Sequence, residues 1–211
     1  MTTNTLSPTD PRLVFAQAVA TAGATIAAVQ PDQLTAATPC DEYDVRTLIG
    51  HMVAVLDRVT LMGEGRDPMS SPRLVTGVDD DGWHAAWTAA AHRVQAAWTD
   101  DATLDRTVVL PWAQAPGADM LAMYSSELSV HTWDLATATG QRPQWNEQVL
   151  QIALAASGGL PDGDRAAAFE QMRPNLPPEI AAGGPPFGNP IAADAEAPLI
   201  DKLVAWYGRR P

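Results

Sequence analysis

The chain has 211 residues, enough for one domain with some elaboration and too few for two independent ones. A net charge of -12 and a pI near 4.5 speak against nucleic acid and anionic membrane surfaces as partners, because no basic patch is present to meet phosphate groups. Cys40 is the single cysteine, which rules out an internal disulfide and a cysteine-built zinc or iron-sulfur site and fits a reducing cytoplasm.

The first apolar segment, Leu13 to Val29, carries no charge and contains small-x-small triplets, so it must be weighed as a targeting signal. No positive region precedes it, since Asp10 offsets Arg12, and it is too rich in Ala and Thr to span a bilayer. Phe15, Val19, Ala22, Ile26 and Val29 instead recur at helical spacing behind an Asp10-Pro11 start, which predicts an amphipathic helix. A loop, QPDQLTAATPCDEYD, separates it from a second helix capped by Asp44. That helix carries Val45, Leu48, Ile49, Met52, Val55, Leu56 and Val59 on one stripe and fades at GEGRDPMSSPR.

A third helix is predicted from about Asp79–Asp81 to Trp98, with Trp83, Trp87, Ala90, Val94 and Ala97 facing inward. The β-branched stretch TVVLPW, Thr107 to Trp112, reads equally as an edge strand or an extended connection. A fourth helix runs from about Pro116–Ala118 to a left-handed terminator at Gly140, and a fifth from Trp145 to about Gly158. The segment RPNLPPEIAAGGPPFGNPIAADAEAP is dense in Pro and Gly and reads as an ordered loop laid across the helices; a short helix, Leu199 to Tyr207, closes the chain. An all-α helix bundle is the simplest architecture for these elements. Residues 1–160 are assigned to it, and residues 161–211 to a C-terminal extension packed on it rather than to an independent domain.

The fourth helix contains the stretch SSELSVHTWDLATATG. At 100° per residue, Met120, Met123, Tyr124, Glu127, His131, Leu135 and Ala138 share one stripe with Asp134 at its edge, while Ser125, Ser129 and Trp133 point elsewhere. Glu127 and His131, four residues apart, can therefore reach one point in front of an otherwise apolar face. A carboxylate there needs compensation, and a bound cation, an imidazolium partner or a water-filled cleft would each provide it. A third donor must come from another helix. His51, at the margin of the second helix's stripe between Leu48 and Val55, is the best placed; His84 and His92 read as surface or edge histidines.

The stretches TPCDEYDVRTLIGHMVAVLDRV, SSELSVHTWDLATATG and PPFGNPIAADAEAPLIDKLVAWYGRRP together resemble the actinobacterial metal-binding branch of the DinB/YfiT-like superfamily, which is related to the N-terminal domain of mycothiol-dependent maleylpyruvate isomerase. The resemblance implies an up-down four-helix bundle with extra C-terminal helices and a Pro/Gly-rich tail. It implies a divalent metal, zinc or nickel, held by His51, Glu127 and His131. The isomerase relatives carry an additional C-terminal domain in place of this tail, so isomerisation of maleylpyruvate is not the expected activity.

Three protein ligands leave a metal position open. The expected activity is a thiol S-transferase in which a low-molecular-weight thiol, mycothiol by resemblance, attacks an electrophile. Asp134 is the expected catalytic-site residue, orienting a ligand imidazole or a cosubstrate, or else simply tying the fourth helix to a neighbour. A non-catalytic metal-binding stress protein and a metal-assisted hydrolase are the rival readings. Cys40, surrounded by acids, reads as structural. Arg46 and Arg58, placed on the polar flank of the second helix, can hold a carboxylate or pair with the excess of acids. Trp112 and Trp133 can line a pocket or simply pack. A small-molecule thiol and an electrophile are the expected partners of a monomer or homodimer.

Overall fold

A computed structural model describes residue 7 and residues 9–211. The chain is mostly helical with one small two-stranded sheet. Helix α1 spans Pro11–Ala27; the Asp10 side chain accepts from the Arg12 backbone N–H and Pro11 occupies the first turn, where no N–H is needed. Helix α2, Val45–Glu64, begins where Asp44 accepts from the Thr47 N–H at 2.8 Å. It ends at Gly65 in the left-handed conformation. Its predicted stripe is buried throughout.

Helix α3, Trp83–Ala97, starts later than the Asp79–Asp81 expectation because those acids lie in a turn closed by the Gly82 N–H on the Asp79 carbonyl. A one-turn helix α4, Ala102–Asp105, which the sequence did not signal, leads into β1, Thr107–Leu110. The open reading of TVVLPW resolves as a hairpin: β1 pairs antiparallel with β2, Ala113–Pro116, through Val108 opposite Ala115 and Leu110 opposite Ala113. Val108 and Leu110 are buried while Thr107 and Val109 are exposed, the alternation of a half-buried strand.

Helix α5, Gly117–Thr139, is the central element and ends as expected at Gly140 (φ 69°). It packs on α1 and α2, and α3 packs on α1 and α2 in turn. Ser125 and Ser129, expected to point away from the interior, are also buried; their hydroxyls donate to the Leu121 and Ser125 carbonyls of their own helix. That side of α5 is covered by α1 together with α6, Glu147–Ala156. After α6 come α7, Arg165–Met172, the one-turn α8, Pro178–Ala181, and α9, Leu199–Trp206, which packs on α6 and α5.

Two apolar clusters result. The larger fills the space among α1, α2, α3 and α5, and the smaller joins Val130, Leu150, Ala153, Ile200, Leu203, Val204 and Tyr207. Among the described residues no helix is long and apolar enough to cross a membrane.

Candidate metal centre

The loop between α2 and α3 crosses directly over α2 at Gly50, whose backbone C=O accepts from the Val75 N–H at 3.1 Å. A Cβ built on Gly50 would stand 2.4 Å from the Val75 carbonyl oxygen, so only glycine admits this approach. The crossing brings the Arg73 carbonyl to His51 Nδ1 at 3.3 Å. The Tyr43 ring lies against the same imidazole, with centroids 5.2 Å apart. His51 is thereby held with Nε2 directed at α5.

On α5, Glu127 and His131 face α2 as the helical spacing requires. Glu127 Oε1 stands 3.4 Å from His51 Nε2, and the His51 and His131 rings meet edge to face at 5.1 Å. One donor atom from each of His51, Glu127 and His131 lies within 4.8 Å of the other two. His131 is 4% exposed, whereas the side chains of His51 and Glu127 are 12% and 20% exposed.

The proton positions follow from the partners. The Arg73 carbonyl can only accept, so His51 Nδ1 donates to it. Asp134 Oδ2 accepts from His131 Nδ1 at 3.1 Å, which leaves His131 Nε2 as a lone pair. Burial opposes ionisation of Asp134, yet the contacts with His131 and Arg209 hold its carboxyl below the usual carboxylate range. Glu127 is likewise disfavoured by burial but held below its ordinary value by His51, His131 and Arg58. For His131, burial lowers the imidazole pKa and outweighs the opposing pull of Asp134. Nδ1 of each imidazole faces an acceptor behind it, so the two Nε2 atoms and one carboxylate meet at a common point. Such an arrangement of acceptors repels itself unless a cation, or a proton on His51, lies among them. The donor set therefore fits a divalent ion with histidine and carboxylate ligands.

Behind His131 stands a residue that sequence reasoning did not single out. Arg209 donates through Nε to Asp134 Oδ1 at 3.1 Å and through Nη2 to Oδ2 at 2.9 Å, a two-pronged contact between groups 75 positions apart. It is delivered there by the turn after α9. Gly208 takes φ 82°, its N–H bonds the Ala205 carbonyl, and the Arg209 N–H bonds the Val204 carbonyl. The sequence Tyr207-Gly208-Arg209 signals the turn, but nothing in it names the partner.

Cys40 also reaches this layer, forming with His131 and Asp134 a second group within 4.8 Å. Both Asp134 oxygens are already engaged by Arg209 and His131, so this is no separate ion site. Burial pushes the Cys40 thiol up; Arg209 opposes the rise and Asp134 adds to it.

The remaining expectations divide. Arg46 pairs with Asp80 on the surface. Arg58 is not on a polar flank: it is buried, because α5 covers that side of α2. His84 and His92 are exposed, lining with Trp87 and Val19 an open groove of about 900 Å³ that contains none of the donor residues. Trp112 is exposed on the hairpin turn, and Trp133 packs against the smaller apolar cluster.

The fold and the donor set define a helical protein that presents a His/Glu/His group from two of its long helices. Residues 15–136 match the family described as the mycothiol maleylpyruvate isomerase N-terminal domain, and the chain belongs to that family. An uncharacterized protein of Mycobacterium tuberculosis is 28% identical over 200 residues, covering 95% of this chain and 98% of its own length, and its counterpart from a second strain matches equally. The crystal structure of the mycothiol-dependent maleylpyruvate isomerase superposes with a TM-score of 0.56 at 14% identity, covering 78% of this chain and 73% of that one. A histidine-to-alanine mutant of that enzyme gives 0.52 at 16% identity, covering 71% and 68%. At these identities the likeness is one of fold.

Proposed function

We propose that the protein is a divalent-metal-dependent thiol S-transferase of the cytoplasm that uses a low-molecular-weight thiol, mycothiol in view of its family, against an electrophilic substrate. The reading takes α1, α2, α3 and α5 as a DinB/YfiT-like up-down four-helix bundle within residues 1–160, with residues 161–211 packed on it. His51, Glu127 and His131 would hold the ion, zinc or nickel. The observation that carries the proposal is the convergence of these three side chains on one point, with Nδ1 of each histidine held from behind.

A divalent ion bound there supplies Lewis acidity that favours the thiolate form of a thiol at neutral pH. The chain's own groups do the rest. The Asp134 carboxylate keeps the proton on His131 Nδ1, Arg209 keeps that carboxylate ionised and aligned, and the Arg73 carbonyl performs the same service for His51. The reading assigns no protein side chain as nucleophile: the thiol sulfur forms the new bond to carbon as the leaving group departs from the electrophile.

The test is conjugate formation between mycothiol, glutathione or bacillithiol and a haloarene or bimane electrophile. Turnover with one thiol, abolished in His51→Ala with the fold retained, is the expected result. Stoichiometric metal without turnover for any thiol would make the protein a non-catalytic metal binder. Thiol-independent ester cleavage would make it a hydrolase, with Asp134 as the candidate base.

A further inference from the structure

Helix α2 carries a cation that the candidate centre does not use. Arg58 lies seven residues beyond His51, so both side chains leave the same face of the helix two turns apart. It is 8% exposed. The other buried arginines have evident work: Arg209 grips Asp134, and Arg165, although its Nη2 has no acceptor, donates to the Pro161, Gly188 and Trp206 carbonyls. Arg58 makes no ion pair within 4.0 Å among the described residues, and its Nε is buried without any hydrogen-bond acceptor.

Its charge is felt by two groups of α5, the Tyr124 hydroxyl and the Glu127 carboxylate. Glu127 is turned to His51 instead of closing on the guanidinium. A buried cation whose nearest carboxylate, Glu127, does not close on it is expensive, and an apolar side chain of the same length would suit its Val55, Val59 and Met62 neighbours on α2 better. What is missing is an acceptor paired directly with Nε, and the planar fork of a guanidinium matches a carboxylate. The Glu127 side chain on the facing helix keeps 20% of its surface exposed, and Arg58 keeps 8%.

We propose that Arg58, with the Tyr124 hydroxyl at its side, binds a carboxylate of the electrophilic substrate, and that the protein therefore selects anionic electrophiles. Assigning that carboxylate to the electrophile rests on the thiol-transfer reading above; the anion site does not.

The anion site is tested by thermal-shift titration with formate and with its neutral analogue formamide. Formate is expected to raise the melting temperature of the wild-type protein and to leave Arg58→Met unmoved, with no response to formamide in either. Arg58→Met itself should melt at or above the wild-type temperature, because it removes a buried charge on which no carboxylate closes. Arg58→Lys, which keeps the charge without the fork, should respond weakly, and it decides the question on the same readout if Arg58→Met does not fold. Equal formate responses in wild type and in the variant overturn the site.

Conjugation of matched electrophiles, a carboxylic acid and its amide, then places the carboxylate. The acid should be preferred in kcat/KM by about 10-fold or more, the scale of a charge-assisted contact, and Arg58→Met should erase the preference with either mycothiol or glutathione. An Arg58-dependent preference that follows the carboxylates of glutathione instead overturns the electrophile assignment. An Arg58-dependent formate response without any conjugation would defeat the thiol-transfer reading and leave the anion site standing.

Discussion

The helices up to α6 and the segment after residue 160 are held in place by different physics. The first region buries a continuous apolar cluster in which Leu48, Ile49, Leu56 and Leu128 are fully enclosed. The second contributes a smaller apolar patch through α9 and relies on arginines that collect oxygen atoms. Arg165 donates to three backbone carbonyls, Arg173 reaches the Ala181 carbonyl, and Arg209 closes on Asp134. The three candidate ligands belong to the first region, yet the orientation of one of them, His131, is fixed from the second through Asp134. The turn after α9 thus braces Asp134 and, through it, His131.

That division can be broken at either end. Leu56→Ala, at a fully enclosed position of α2, should cost about 2–5 kcal/mol of stability in chemical denaturation and lower the single cooperative transition of the whole chain. Asp134→Ala should cost about 3–5 kcal/mol, since it strands the Arg209 guanidinium in a buried site. Combining Asp134→Leu with Arg209→Met should recover most of that stability while leaving metal affinity reduced by about 10–100-fold, because His131 loses its orienting carboxylate. Recovery of both stability and metal affinity would show that the extension supports only the fold.

Smaller changes sharpen the picture. Gly50→Ala forces the Val75 carbonyl away and should cost about 1–3 kcal/mol, accompanied by weaker metal binding as the Arg73 carbonyl leaves His51. Asp10→Ala, remote from the centre, should cost only about 1 kcal/mol and leave metal content unchanged. Contact with the Arg12 guanidinium holds the Asp10 carboxyl below its ordinary value of 3.8. Its contribution is therefore complete above about pH 4 and vanishes as pH falls through the lowered value, where wild type and variant should converge in stability.

Much of this was legible in the residues. The stripes of the long helices, the caps at Asp10 and Asp44 and the terminator at Gly140 are local signals, and the structure places each long helix within a few residues of its expected span, whereas the short α7 and the one-turn α4 and α8, the last inside the expected loop, carry no such signal. The meeting of Glu127 and His131 follows from a four-residue spacing on one helix, and His51 from the absence of a better placed third donor. What could not be read depends on chain segments far apart in sequence. The pairing of Arg209 with Asp134 needs the docking of α9, and the crossing of the loop at Gly50 needs the path of residues 71–78. Arg58 was misplaced on a polar flank because helical spacing alone does not reveal that α5 lies against that side of α2. Ser125 and Ser129 are buried for the same reason, with α1 and α6 as the neighbours that spacing does not reveal.

The most direct measurement is the metal content of the purified protein beside that of Glu127→Ala. About one divalent ion per chain in the wild type, lost in the folded variant, is the result required by a centre built from His51, Glu127 and His131. A wild-type protein that takes up no divalent ion at neutral pH, or a variant that retains it in full, would contradict that centre and the thiol chemistry assigned to it.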